Sequence, residues 1–233
     1  MRILAVDTAT EACSAALYID DEIIAEYQLA PREHTQLILQ MVSSLLQQAD
    51  ISMSGLDALA FGRGPGSFTG VRIATGIVQG LAFASDLPVV PISTLASIAQ
   101  RVAQDHQHKS VISAIDARMG EVYWGCYQLA ENGLMTLRGS EQISAPEGLE
   151  LTDTGTDWSG AGTAWGAYYE ALSRTLGQQL NHSYADYLPD SRSIVQLAVF
   201  DYQQGLAVDA ARAQPVYLRN NVAKKSTKKP DRY

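Results

Sequence analysis

Apolar positions in the first hundred residues switch repeatedly between two periods. "RILAVDT" is a continuous apolar run ending in Asp7, the mark of a buried strand. "CSAALYI" and "EIIAEYQLA" follow, separated by the acidic turn "DDE", and read as a hairpin. The period then lengthens, and "REHTQLILQMVSSLLQQA" predicts a helix. "LDALAFG" is a further strand. A glycine loop comes next, then a nearly all-apolar helix from about Phe68 to Ala84. "LPVVPIS" predicts a strand and "STLASIAQRVAQ" a helix, with Ser93 or Thr94 as its N-cap.

The second half restarts the pattern. "VISAIDARMGEVYWGCYQL" lies over "RILAVDTATEACSAALYI", so that Ile115-Asp116 repeats Val6-Asp7 at an offset of 109 residues. A third strand near "LMTLRGSEQIS" follows. A repeat this long implies two similar domains rather than a solenoid. From about Thr152 to Pro189 the periodicity weakens, and "SIVQLAVFDYQQG" is the last clear helix. Periodicity alone supports an α/β chain of two lobes. Two tandem βββαβα units, each opening on a strand that ends in Asp, resemble the actin-like (ASKHA) fold of sugar kinases and heat-shock 70 ATPases, with the second lobe degenerate. The expected organisation is an N-terminal lobe over 1-106, a C-terminal lobe over 107-214 and a final segment over 215-233 that ends in a disordered basic tail.

Charge narrows the function classes. The net charge is −8, but from Arg219 onward there are six basic residues and one acid, which leaves −13 on the body. An acidic body argues against a broad nucleic-acid face. The N-terminal "MRILAVDTAT" enters a strand without the long apolar region of a signal peptide, and no apolar run is long enough to span a bilayer. The two cysteines, Cys13 and Cys126, sit in strand-like runs with no pairing pattern, as in a reducing compartment. The expectation is a soluble cytoplasmic protein.

Two readings of the loop "GRGPGSFTGVR" are open. It follows a strand and precedes a helix, the setting in which backbone N–H groups meet an anion. It lacks the lysine of a G-K-[ST] phosphate loop, and Ser67 is not in a G-x-S-x-G elbow. In the helix after it, only Arg72, Thr75 and Gln79 form a polar sector, while Thr69, Ile73, Gly76 and Gly80 fall on one strip. Two glycines on a helix strip suggest close approach of another backbone, from this chain's own sheet or from a second subunit. The preceding helix carries apolar residues over an arc of about 200°, twice what a surface helix needs. Surplus apolar surface on adjacent helices fits a helical contact with a partner. The expected interface core is Ile38, Val42, Leu45, Thr69, Ile73, Gly76, Ile77 and Gly80.

"GRGPGSFTGVRIATGIVQGLAFA", with "ILAVDTATEACSAAL" and "EHTQLILQMVSSLL", closely resembles the bacterial TsaB (YeaZ) family, strongly over about the first 100 residues and loosely beyond. That resemblance implies a degenerate paralogue of the catalytic subunit TsaD. It implies a non-catalytic scaffold in the complex that makes N6-threonylcarbamoyladenosine at position 37 of tRNA. The implied partners are a TsaD-like subunit and a TsaE-like ATPase, with a homodimer in isolation through the same helical face. tRNA would be met only through the complex, and no membrane contact is implied. ATP or ADP and any metal would be held by the partner subunits, leaving this chain with no cofactor of its own.

The residues agree with a non-catalytic role. The catalytic relatives carry H-x-x-x-H, two imidazoles one turn apart for a metal; here His34 is followed at that spacing by Ile38. His106, His108 and His182 lack partners at such a spacing and read as surface residues. The adenosine motif is reduced to "GAGTAWG". No nucleophile–base pair supports a protease reading. Asp7 and Asp116 stand either as nucleotide–Mg²⁺ ligands facing each other across a cleft or as turn-capping acids. The first of these belongs to the alternative function, an independent nucleotide-dependent ATPase or kinase of the actin-like fold.

Overall fold

The computed structural model describes residues 1–151 and 157–219. The first unit runs β1 (Arg2–Asp7), β2 (Ala12–Ile19), β3 (Glu22–Leu29), α1 (His34–Gln48), β4 (Ala58–Gly62), α2 (Phe68–Ser85), β5 (Val89–Ile92) and α3 (Thr94–His106). The second runs β6 (Ser110–Arg118), β7 (Glu121–Leu129), β8 (Met135–Ser144), β9 (Trp158–Ala161), α4 (Ala164–Ala167), α5 (Tyr169–Leu176), β10 (Leu180–Tyr184) and α6 (Ser191–Gln203).

The sheets are ordered β3-β2-β1-β4-β5 and β8-β7-β6-β9-β10. Counted within each unit these are one order, so the repeat at Asp7 and Asp116 is a repeat of topology. In both sheets the first three strands pair antiparallel and the last two join in parallel. The acidic turn of the first hairpin is tight, with Asp20 and Asp21 at φ 48° and 72°, a conformation that Asp tolerates better than most side chains. This is the actin-like α/β fold, two tandem βββαβα lobes with the second degenerate. Where the first unit places α1, the described residues between β8 and β9 of the second form a 3-10 turn at Pro146–Gly148. The basic tail over 220–233, expected to be disordered, lies outside the described residues.

Each unit's last helix packs against the other unit's sheet. Leu95, Ile98, Ala99 and Val102 of α3 join Val111, Ile115, Tyr127 and Ala161 of the second sheet. Ile194, Val195 and Ala198 of α6 join Ile3, Ala5, Ala58 and Val90 of the first. Ser93 caps α3, its hydroxyl accepting from the N–H groups of Leu95 at 3.1 Å and Ala96 at 3.3 Å, which satisfies two donors that the helix cannot pair internally. The same hydroxyl bonds Glu141 of β8. Glu141 also accepts from Tyr127 at 2.8 Å and from Arg63 Nη2 at 3.2 Å. Arg63 follows β4, so this ion pair, with Glu141 only 6% exposed, pins the first unit to the second.

The outer face of the first sheet carries α1 and α2. Ile38, Met41, Val42 and Leu45 of α1 share one core with Leu17, Leu59, Ala74, Val78 and Ala82. Helix α1 therefore uses one part of its wide apolar arc on the sheet and another on α2.

Candidate functional site

Two surfaces carry candidate chemistry, the free face of α2 and the cleft between the lobes. The loop "GRGPGSFTG" builds both. Arg63 N–H donates to Ile92 O at 2.8 Å, Thr94 N–H to Gly64 O at 3.0 Å and Ser67 N–H to Ala9 O at 2.7 Å. Thr8 Oγ1 donates to Gly70 O at 2.7 Å. The loop thus fastens the β1–β2 turn to the start of α2, whose N-cap is Ser67, accepting from Gly70 N–H at 3.3 Å. Asp86 ends α2 in the left-handed conformation, φ 51°.

Helix α2 buries Gly70, Val71, Ala74, Thr75, Val78 and Ala82. Its opposite face is open. Thr69, Gly76 and Gly80 are exposed, Ile73 and Ile77 half-buried, and Phe83 is 86% exposed. A Cβ added at Gly76 or Gly80 would meet nothing within 4 Å. The close backbone approach expected at these two glycines is therefore not made by this chain's own described residues. The polar sector expected on α2 is smaller than the sequence suggests. Thr75 is buried with its hydroxyl on Val71 O at 2.8 Å, and Gln79 donates to Ala213 O at 2.9 Å.

Three expected interface residues are corrected. Ile38, Val42 and Leu45 are 0%, 4% and 1% exposed, because they pack on the first sheet and on α2. Leu39, which points away from that core, is 50% exposed on the same helix. His34 is buried at the start of α1, with no partner for Nε2 among the described residues. Ile38, one turn on, is core. Among the described residues no three His, Cys, Asp or Glu side chains converge to hold a metal.

The cleft has a volume of roughly 920 Å³. Its walls come from the β1–β2 turn and the α2 start on one side, from the β6–β7 turn and Thr163 on the other, and from Tyr217 and Arg219. Asp116 lines it; Asp7 does not. The Asp116 carboxylate accepts from Arg118 N–H at 2.8 Å, from Arg118 Nη1 at 3.0 Å and from Tyr168 OH at 3.2 Å. Asp7 is fully buried. Its Oδ1 accepts from Ala9 N–H at 3.0 Å, while Oδ2 has no partner among the described residues. The carboxyl fills the space that a side chain would need at Gly62, where an added Cβ would overlap Oδ2 and lie 3.0 Å from Cγ. Burial, followed by the repulsion of Asp190, pushes its pKa up to about 7 against the pull of the Ala9 N–H. The two acids therefore do not face each other across the cleft, and Asp7 acts as a turn cap sealed behind Gly62.

The remnant "GAGTAWG" is also occupied by its own chain. An added Cβ at Gly160 would overlap the indole of Trp165, which is 1% exposed and donates to Ile112 O at 3.2 Å. Both thiols are buried, and burial raises Cys13 to about 11 and Cys126 to about 12. Neither is an activated nucleophile.

The histidines hold a surprise. His106, His108 and His182 gather with Tyr184 and Tyr187 beside edge strand β10. His106 stacks on Tyr184 with centroids 4.1 Å apart, and His108 lies 5.3 Å from His182. His106 Nε2 bonds Tyr187 OH and His108 Nε2 bonds Tyr184 OH, each at 2.8 Å. Burial, then His182 and His106, lowers the His108 pKa. No local spacing in the sequence announces a cluster whose two halves, His106 with His108 and His182 with Tyr184 and Tyr187, lie more than seventy residues apart.

Comparison with known proteins adds to this geometry. The family model for the tRNA N6-adenosine threonylcarbamoyltransferase TsaD matches residues 21–227. The chain is 45% identical to tRNA threonylcarbamoyladenosine biosynthesis protein TsaB of Escherichia coli (strain K12) over 96% of each protein. It is 40% identical to the protein of that name from Haemophilus influenzae over 95% of each. Among solved structures, YeaZ from Pseudomonas aeruginosa superposes with a TM-score of 0.88 at 48% identity, covering 93% of this chain and 99% of that one.

Proposed function

The chain belongs to the TsaB family of tRNA threonylcarbamoyladenosine biosynthesis proteins, and from that premise we propose that it is a non-catalytic subunit of the complex that makes N6-threonylcarbamoyladenosine at position 37 of tRNA. It docks a TsaD-like catalytic subunit on the open face of α2 and holds that subunit in a competent form. A TsaE-like ATPase completes the complex in the cytoplasm. tRNA, nucleotide and any metal are handled by the partners, and the free chain uses the same face to pair with a second copy.

The observation that carries this reading is the strip Thr69, Ile73, Gly76, Ile77, Gly80 and Phe83. It is a row of small and apolar side chains with open space over both glycines. An exposed apolar strip on a helix costs solvation until a partner covers it, and missing Cβ atoms let that partner's backbone approach closely. The corrected face therefore comprises Thr69, Ile73, Gly76, Ile77, Gly80 and Phe83 with Leu39, and not the inner residues of α1. The absence of a catalytic role is supported by Asp7, sealed behind Gly62, and by His34, whose position one turn on is an apolar core residue.

Reconstitution tests the role. tRNA modification is expected when the TsaD-like subunit, the ATPase and this chain are combined. It should drop to background when this chain is left out, and this chain alone should give none. Undiminished modification without it would refute the role. One observation favours the alternative of an independent ATPase or kinase: the roughly 920 Å³ cleft lined by Asp116. That reading requires the isolated chain to bind ATP–Mg²⁺ in calorimetry and to lose binding on Asp116→Ala.

A further inference from the structure

Residues 213–219 belong to no helix or strand, yet they are anchored at every second or third residue. Ala213 is fully buried, and its carbonyl accepts from Gln79 at 2.9 Å. Val216 N–H donates to Arg63 O at 2.8 Å. The Tyr217 ring lies against Phe68, centroids 6.1 Å apart, and the Arg72 guanidinium sits 5.1 Å from the Tyr217 centroid. These partners all belong to the glycine loop and α2 of the first lobe. Two residues later the chain has crossed to the second. Arg219 Nη2 lies 2.5 Å from Glu121 Oε2 and 3.3 Å from Arg118 O, and Nη1 lies 3.8 Å from Met119 Sδ. Arg118, Met119 and Glu121 form the β6–β7 turn on the far wall of the cleft.

Arg63 ties this segment to the interlobe pin. Its guanidinium holds Glu141 of the second lobe, and its carbonyl holds Val216. Separating the β6–β7 turn from the glycine loop and α2 would break the Arg219 bonds. We propose that residues 213–219 are an intramolecular clasp. It spans the mouth of the cleft, fixes the two lobes against each other, and makes access to the cleft depend on displacement of Tyr217 and release of Arg219. The Arg219–Glu121 pair is 17% and 42% exposed, so it is a reversible fastening rather than a weld. Ion pairs of that exposure shift an equilibrium by up to about fivefold. The clasp concerns the free chain and stands or falls independently of the docking reading.

The test uses the full chain. The native thiols are buried and poorly ionised, so cysteines introduced at exposed Asp50 and Glu170, one in each lobe, take spin labels selectively. A narrow distance distribution is expected for the parent. Arg219→Ala and Glu121→Ala, which break the clasp from opposite sides, should each broaden it toward longer distances, and Arg219→Lys should restore much of the narrow population. In a second readout, Ala117→Cys places a thiol on the cleft wall. Its alkylation rate should rise by about two- to fivefold with Arg219→Ala. If both clasp variants keep the parent's circular dichroism and melting temperature, with unchanged distances and unchanged alkylation, the proposal is overturned.

Discussion

Replacing Asp7 by Asn tests whether a buried acid weakens this fold at neutral pH. The Asp7 carboxyl is wholly enclosed, with one N–H donor on Oδ1 and no partner on Oδ2 among the described residues. Its pKa rises from the ordinary 3.8 to about 7. Between those values the folded chain holds a proton that the unfolded chain has released, so stability falls as pH rises from about 4 through about 7. Taken at face value the displacement is worth about 4 kcal/mol, at roughly 1.4 kcal/mol per pH unit. That is an upper limit, because a buried ion attracts water and relaxes its surroundings. The amide of Asp7→Asn keeps an oxygen for the Ala9 N–H and cannot ionise. Urea unfolding followed by tryptophan fluorescence, which reports on the buried Trp124, Trp158 and Trp165, compares the two proteins from pH 5 to pH 8.5. At pH 5 the variant should be equal to the parent or slightly less stable, since its amide brings unpaired donors. By pH 8.5 it should be the more stable, the difference between variant and parent having moved by about 1–3 kcal/mol in its favour, since only the part of the shift between pH 5 and about 7 falls in this window. A difference that stays constant within about 0.5 kcal/mol over that range would refute the assignment of Asp7 as a buried, strained carboxyl.

Three further substitutions probe the glycines. Gly62→Ala drives a methyl into the Asp7 carboxyl and should cost about 3 kcal/mol or more in urea unfolding, whereas Asp7→Ala combined with Gly62→Ala should recover much of that loss, since the methyl then occupies vacated space. Gly70→Ala places its Cβ into the carbonyl of Thr8, a backbone atom that cannot swing away, and should lower the melting temperature by at least about 8 °C. Gly76→Ala meets open space and should instead stabilise the isolated chain by about 0.5–1 kcal/mol, the helix propensity gained with Ala. If Gly70→Ala and Gly76→Ala have equal effects in thermal melts, the packing described for α2 is wrong.

Most of the strands and long helices are legible in the pattern of apolar residues, because each buries one face or one run against a layer of this same chain. The repeat of Val6-Asp7 in Ile115-Asp116 marks the shared strand order, since both sheets must seat the same central strand. Ile38, Val42 and Leu45 show where such reading ends. A wide apolar arc on α1 says that two neighbours cover it, but not whether the second is another subunit; here it is α2. The polar sector on α2 failed for a similar reason, as Thr75 satisfies its hydroxyl on its own helix and Gln79 on Ala213. The clasp and the histidine cluster left no local signal, because Arg219 meets Glu121 and His108 meets Tyr184 across long separations in the chain. The helix strip marks Gly76 and Gly80 for close backbone approach, and the described residues leave the space around an added Cβ there open.

That open space is where the account is most exposed. Gly76→Leu places its Cβ in open space among the described residues, so the variant should still fold, with the parent's circular dichroism. Titrated in calorimetry against the TsaD-like subunit at low micromolar concentration, the parent chain should bind and Gly76→Leu should lose at least about a hundredfold in affinity, the roughly 2.7 kcal/mol expected when a close helix contact is prised apart. A folded Gly76→Leu that binds that subunit within about threefold of the parent would contradict the claim that the α2 face is the docking surface.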